Sequence, residues 1–130
     1  MTPEAAAYLA KGRDDLDEAR KIALIGLAKT AARSAYYAAF HAAEALILER
    51  TGKIAKTHSG VRSEFARLAK DELGLDRTLT TFLAEAYKYK EISDYGVGPE
   101  ATVEMGAAKG VIEGGQRFMD IVAAILEDET

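Results

Sequence analysis

One uninterrupted stretch, AARSAYYAAFHAAEALILER at positions 31–50, constrains this chain more than any other. Ala, Leu and Glu give it strong helix propensity, and neither Gly nor Pro breaks it. Two stripes run along it at helical spacing. Tyr36, Phe40, Ala43 and Ile47 make an apolar face that should point into a core. Arg33, Tyr37, His41, Glu44 and Leu48 make an adjacent, largely polar stripe at the same spacing. A helix that sets a polar stripe beside a core stripe is either a bundle helix with internal hydrogen bonds or one wall of a site. The remaining segments are read as what packs against it.

Before it, Thr2 and Pro3 suit the N-cap and first position of a helix that runs to about Leu24, with Gly26 as its stop. Ala5, Leu9, Gly12, Leu16, Ala19 and Ala23 form its inner face, and Asp14, Asp15, Asp17, Glu18, Arg20 and Lys21 a solvated one. The central helix stops at Thr51 and Gly52. Residues 53–57 are a short basic connection. Thr57 or Ser59 can cap a third helix, from about residue 59 to 73, with Val61, Phe65, Leu68 and Ala69 inward and Gly74 as its end. Thr78 can cap a fourth, to about Ser93, burying Leu79, Phe82, Leu83, Ala86 and Tyr89. SDYGVGPE at 93–100 is the clearest loop. A last helix is predicted from about residue 100 to 126, with Val103, Ala107, Gly110, Val111, Phe118, Ile121, Val122 and Ile125 inward. Gly106, Gly110 and Gly114 lie four apart, and each costs about 1 kcal/mol relative to Ala. Their spacing predicts a close helix contact filled by Tyr36, Tyr37 or Phe40. Short turns, with no repeat or linker, imply one all-α domain over 1–130, an antiparallel bundle.

At 130 residues the chain can bury one sizeable core. A net charge of −4 argues against a basic surface covering the whole molecule, though not against a local basic patch. The absence of Cys removes disulfides, thiolate metal sites and a Cys nucleophile, and suits a cytoplasmic protein. No signal-peptide core or membrane-spanning run is present. Two His without HExxH or Cys make no zinc site of the usual type, and no phosphate-cradling Gly-rich motif or nucleophile elbow occurs. No metal and no cofactor is expected.

Two places carry candidate chemistry. Arg33, Tyr37 and His41 share a face: they form either a site for an anion or an RNA phosphate, or an internal pairing of Arg33 with a carboxylate beside a satisfied interior His41. His58, in KTHSG, starts a helix, where free N–H groups attract anions and Lys53 and Lys56 add charge. The alternative is a local capping arrangement. Lys90 and Asp94 sit at i, i+4 and read as a helix-end ion pair.

The segments ARSAYYAAFHAAEALILERTG (32–52), KTHSGVRSEF (56–65) and YKYKEISDYG (87–96) together resemble the HEPN domain family, in its small stand-alone bacterial and archaeal branch. The resemblance implies an antiparallel four-helix bundle with one additional short helix, often a homodimer. Arg33, Tyr36, Tyr37, Phe40, His58, Asp94 and Tyr95 match the branch pattern. Lys90 departs from it, standing where that branch usually has arginine. Some members resemble RNases of toxin–antitoxin pairs, built on an arginine, four to six residues, then a histidine. Others accompany a minimal nucleotidyltransferase or have been proposed to bind nucleotides.

The RNase pattern is not intact here. No His follows Lys90 at the required spacing, and Arg33 and His41 are eight positions apart, about 12 Å along an ideal helix and about 80° round it. The expectation is therefore a non-catalytic binding module acting with a nucleotidyltransferase-like partner or RNA. Its candidate binding residues are Arg33, Tyr36, Tyr37, His41, His58, Lys90, Asp94 and Tyr95. The alternatives are an endoribonuclease toxin and a nucleotide-binding protein. A homodimer is expected, with polar residues of the Arg33 helix or of the 90–98 loop near the interface.

Overall fold

A computed structural model describes residues 1–72 and 74–128 of the chain. Among these residues five helices follow one another: α1 (Pro3–Leu24), α2 (Ala28–Thr51), α3 (His58–Ala69), α4 (Arg77–Tyr95) and α5 (Met105–Glu127), with a 3-10 turn at Pro99–Ala101 before the last. The four long helices form the bundle and α3 is the additional short one. None of them is long and apolar enough to cross a membrane, among the described residues.

The central stretch is the hub, and α2 packs on each of the other four helices. It is buried almost all round, from Ala31 to Ile47. Its many alanines let neighbours come close. Gly12 of α1 lies so near that a Cβ there would stand 2.8 Å from the Ala38 carbonyl oxygen, and a Cβ on Gly115 of α5 would stand 3.1 Å from that of Ala35. Side chains tie the remaining pairs. Arg13 meets Glu127 and Arg20 meets Gln116, each at 2.5 Å, so α1 and α5 run antiparallel. Arg33 meets Asp94 while Tyr36 meets Tyr87, so α2 and α4 also run antiparallel. Phe65 of α3 stacks near Phe118 of α5, ring centroids 5.0 Å apart, and closes the core.

Local chemistry sets the helix ends. Thr2 caps α1 by accepting from the Ala5 N–H, with Pro3 following. Gly26, at φ 84°, makes the turn into α2. Thr57, not Ser59, caps α3, which starts at His58 and ends at Ala69 rather than 73; residue 73 lies outside the described residues.

Other boundaries also differ from the sequence reading. α2 begins at Ala28 instead of 31, because the Gly26 turn needs so few residues that Leu27 becomes the cap position, without a side-chain acceptor. Asp76 replaces Thr78 as the cap of α4: its Oδ1 accepts from the Thr78 N–H at 2.9 Å, and a carboxylate suits the positive helix end. α4 then extends to Tyr95. α5 begins at Met105 rather than 100, because the chain first folds back over Gly96. There a Cβ would stand 2.8 Å from the Ala101 methyl.

The glycine expectation on the last helix is corrected. Gly106 and Gly110 face open space, and only Gly114 meets a neighbour, the Phe82 ring. The inner face runs instead through Ala108, Val111, Ile112, Gly115, Phe118, Met119, Val122, Ala123 and Leu126. Reading Ala107 and Gly110 as inward rotated this face by about one residue, or about 100°. The tight contact exists, but Gly12 and Gly115 make it against the α2 backbone rather than against Tyr36, Tyr37 or Phe40.

Gly12→Leu is therefore expected to destabilise the fold by about 2–3 kcal/mol, since backbone on α2 would have to shift. Gly110→Ala should instead stabilise it by up to about 1 kcal/mol through helix propensity alone. Thermal or urea unfolding of the two variants, with shifts of opposite sign, checks this register.

Candidate functional site

Three helices bring their polar side chains together where the N-terminal half of α2 meets α4 and the start of α3. Arg33 donates from Nε to Asp94 Oδ1 at 2.8 Å, and Lys90 Nζ lies 3.2 Å from Asp94 Oδ2. One carboxylate thus serves two cations. The Arg33 guanidinium beside it holds the Asp94 carboxyl below the usual range, and the same contact raises Arg33. The Asp94 bond likewise raises the Lys90 ammonium. Each cation also lies over an aromatic ring, Arg33 at 4.8 Å from Tyr37 and Lys90 at 4.9 Å from Tyr95. Lys90 is only 9% exposed, an unusual place for a lysine on a helix read as burying apolar residues.

Beneath this pair lies an aromatic nest. Tyr36, fully buried, shares a hydrogen bond between its hydroxyl and His58 Nδ1 at 2.7 Å. The His58 ring packs against Phe40 at 4.5 Å and against Tyr87 at 5.2 Å. Burial lowers the His58 pKa, and the positive charges of Lys90 and Arg62 lower it further. Burial raises the Tyr36 phenol. Tyr36 therefore stays protonated and His58 is favoured as neutral imidazole.

The sequence reading missed three members of this cluster. Arg62 lies 4.4 Å over the Tyr87 ring, and its Nη1 is buried without a hydrogen-bond partner. The Glu91 carboxylate, one turn on from Tyr87, raises that phenol. Arg62 follows His58 by four residues, and Tyr87 stands one turn before Lys90 and Glu91. The i, i+4 rule applied outward from His58 would have found the first.

Seven of the eight candidate residues, Arg33, Tyr36, Tyr37, His58, Lys90, Asp94 and Tyr95, meet here. His41 stands to one side. Its Nδ1 lies 2.5 Å from Asp15 Oδ2 on α1 and its Nε2 3.7 Å from Glu44, so it ties α2 to α1 and touches the cluster through the Tyr37 ring, centroids 5.7 Å apart. Burial raises the Glu44 carboxyl in this pocket. His41 and Arg33 are thus both paired with carboxylates, the quieter of the two arrangements open to them. At the start of α3, Thr57 supplies the cap, accepting from Gly60 N at 2.9 Å, and Lys53 and Lys56 are exposed.

The surface beside the cluster is apolar. Leu24, Ile25 and Leu27 in the α1–α2 turn, and Tyr95 and Val97 after α4, are all at least half exposed. Gly26–Thr30, with Gly96, Gly98 and Ala101–Val103, line a shared cleft of about 390 Å³ at this end of the bundle.

The HEPN domain profile matches residues 5–126 of the chain. A UPF0332 protein of Archaeoglobus fulgidus is 33% identical over 102 residues, which cover 78% of this chain and 80% of that one.

Two outcomes follow from the nest. Tyr36→Phe should cost about 1 kcal/mol, the net worth of a buried hydrogen bond, read by chemical denaturation. Because the folded pKa of His58 lies below its unfolded value of about 6.5, its neutral form contributes stability above that pH. That contribution is lost as the pH falls toward the folded pKa. The melting temperature of the wild type should therefore drop more between pH 7.5 and 5.5 than that of His58→Phe.

Proposed function

The chain belongs to the HEPN domain family, and from that premise we propose that it is a non-catalytic binding module that takes RNA through its phosphate backbone. One observation carries this reading. Arg33, Arg62 and Lys90 converge from three helices onto a bed of tyrosines, while both histidines are engaged within the fold. Cations beside aromatic rings, Tyr95 among them 71% exposed, are what a single strand requires: charge for its phosphates and flat apolar surface for its bases. The positive patch is local, in keeping with a chain whose net charge is −4.

Strand cleavage asks for more. A proton carrier has to reach the 2′-hydroxyl or the leaving oxygen, with a cation on the same phosphate. His58 lies near Lys90 and Arg62, which gives the endoribonuclease reading its best support. Its Nδ1 is shared with Tyr36, however, and its ring is packed among Phe40, Tyr36 and Tyr87. Lys90 supplies a point charge where an arginine would supply a planar fork.

A second reading rests on the apolar end of the bundle. Leu24 and Val97 are each 86% exposed, and Tyr95 is 71% exposed. Large apolar side chains grouped on one end suit a protein partner, and a nucleotidyltransferase-like chain or a second copy of this one would cover them.

Fluorescence anisotropy with a labelled single-stranded RNA at low salt tests the first reading. The wild type should bind and leave the RNA intact, and Arg33→Gln and Lys90→Gln should each weaken binding and reduce the salt slope by about 0.7. RNA cleavage that disappears in a His41→Ala, His58→Ala double variant would replace this reading with the nuclease. Absence of RNA binding, with co-purification of a nucleotidyltransferase chain, would replace it with the partner module.

A further inference from the structure

The charge balance at Asp94 is the least expected feature of the cluster. Its Oδ1 is taken by Arg33 and its Oδ2 by Lys90, at 2.8 and 3.2 Å. Arg33 meets it through Nε and not through the two-pronged geometry that makes arginine–carboxylate pairs strong. The Arg33 side chain is 38% exposed. Behind the pair, Arg62 keeps a buried Nη1 with no acceptor. Two cations therefore share one carboxylate, and Arg62 lies nearby over the Tyr87 ring. The set carries more positive than negative charge, and an anion with several acceptor oxygens would balance it.

Asp94 itself stands at the end of α4, one residue before the exposed Tyr95 and two before Gly96, where the helix gives way to the connecting loop. A side chain at a helix end can swing aside at less cost than one in mid-helix, because fewer neighbours hold it. Arg33 and Lys90, by contrast, are set within long helices and stacked on rings. Of the three side chains, Asp94 is the one in the last turn of its helix.

We infer that Asp94 holds the place of an external phosphate: in the free protein it closes the Arg33–Lys90 clamp, and an RNA phosphodiester displaces it. This rests on the RNA-binding reading above. The clamp pairs a planar donor with a point charge, and two non-bridging phosphate oxygens can take one each, as the two oxygens of Asp94 do now. Displacement leaves the Asp94 carboxylate close to the incoming phosphate, so the like-charge repulsion sets a threshold for binding. Only a ligand that makes further contacts, by stacking on Tyr37 and Tyr95 or through a second phosphate, passes it. A lone orthophosphate does not. Asp94 thereby selects polymeric phosphate over free anions.

Removing the carboxylate should therefore strengthen binding, where a merely structural ion pair would predict the reverse. The experiment compares wild type, Asp94→Asn, Asp94→Ser, Asp94→Glu and Glu85→Gln for a labelled single-stranded RNA, with inorganic phosphate as competitor. Circular dichroism first checks that each is folded. Asp94→Asn and Asp94→Ser should bind about tenfold more tightly, with a salt slope steeper by about 0.7, and orthophosphate should compete against them but not against the wild type. Asp94→Glu, which keeps the charge, should stay within about twofold of the wild type. Glu85→Gln, which changes the net charge equally at an exposed site away from the clamp, should do the same. Wild-type binding with no gain, or a loss, in both neutral Asp94 variants overturns the gate and leaves the RNA reading standing. An equal gain in Glu85→Gln also overturns it, as an effect of net charge. No RNA binding by the wild type or either neutral variant overturns both.

Discussion

Close approach to the α2 backbone is the constraint on which the rest depends. α2 can be buried nearly all round only because its own side chains are mostly methyl groups and because Gly12 and Gly115 present none at all. A helix this crowded cannot rotate. A turn of one residue, about 100°, would drive the Tyr36 and Phe40 rings into α1 or α5. Its orientation sends Tyr36 toward α3 and α4, His41 toward α1, and Arg33 and Tyr37 to the boundary between core and solvent. The site is thus a by-product of packing in its location, though not in its chemistry.

That chemistry is concentrated where a bundle can hold charge at moderate cost. Arg33 and Asp94 lie near the solvent boundary, with side chains 38% and 24% exposed, where water screens part of the interaction. Deeper in, the polar atoms are neutral and paired, Tyr36 with His58. Charge outside and neutral hydrogen bonds inside is the order that desolvation imposes. The exceptions among the described residues are the orphaned Arg62 Nη1 and the little-exposed Lys90 at the cluster, and His41 with Asp15 and Glu44 toward α1.

The HEPN family relationship explains the bundle and the placement of the Arg33 helix, but it does not by itself supply an activity. Function has to be argued from the site. Here the departures weigh as much as the matches. Lys90 stands where the branch usually has arginine, and neither histidine lies at the spacing of the RNase pattern. In the folded chain His41 has become part of the α1–α2 contact and His58 part of the aromatic nest.

The sequence alone determined the helices, their number and the all-α class, because helix periodicity and breakers act over a few residues. It also marked α2 as the hub, through an apolar stripe and an adjacent polar one, and Thr2, Pro3 and Gly26 as end signals. Which face of α5 points inward was left to the tertiary structure: Ala107 and Ala108, and Gly114 and Gly115, are identical neighbours, and the decision fell to which residue allowed the closest approach to α2, Gly115. The start of α5 was decided likewise by packing of Ala101 on Gly96. The cluster itself was half legible. Single residues such as Arg33, His58 and Asp94 could be singled out by type, and Arg62 by its place one turn after His58, but Tyr87 became a member only when three helices met. Side-chain partners from different helices, with more than twenty residues between them, leave no periodic trace in a sequence. Their pairing follows from distances that exist only after the core has packed.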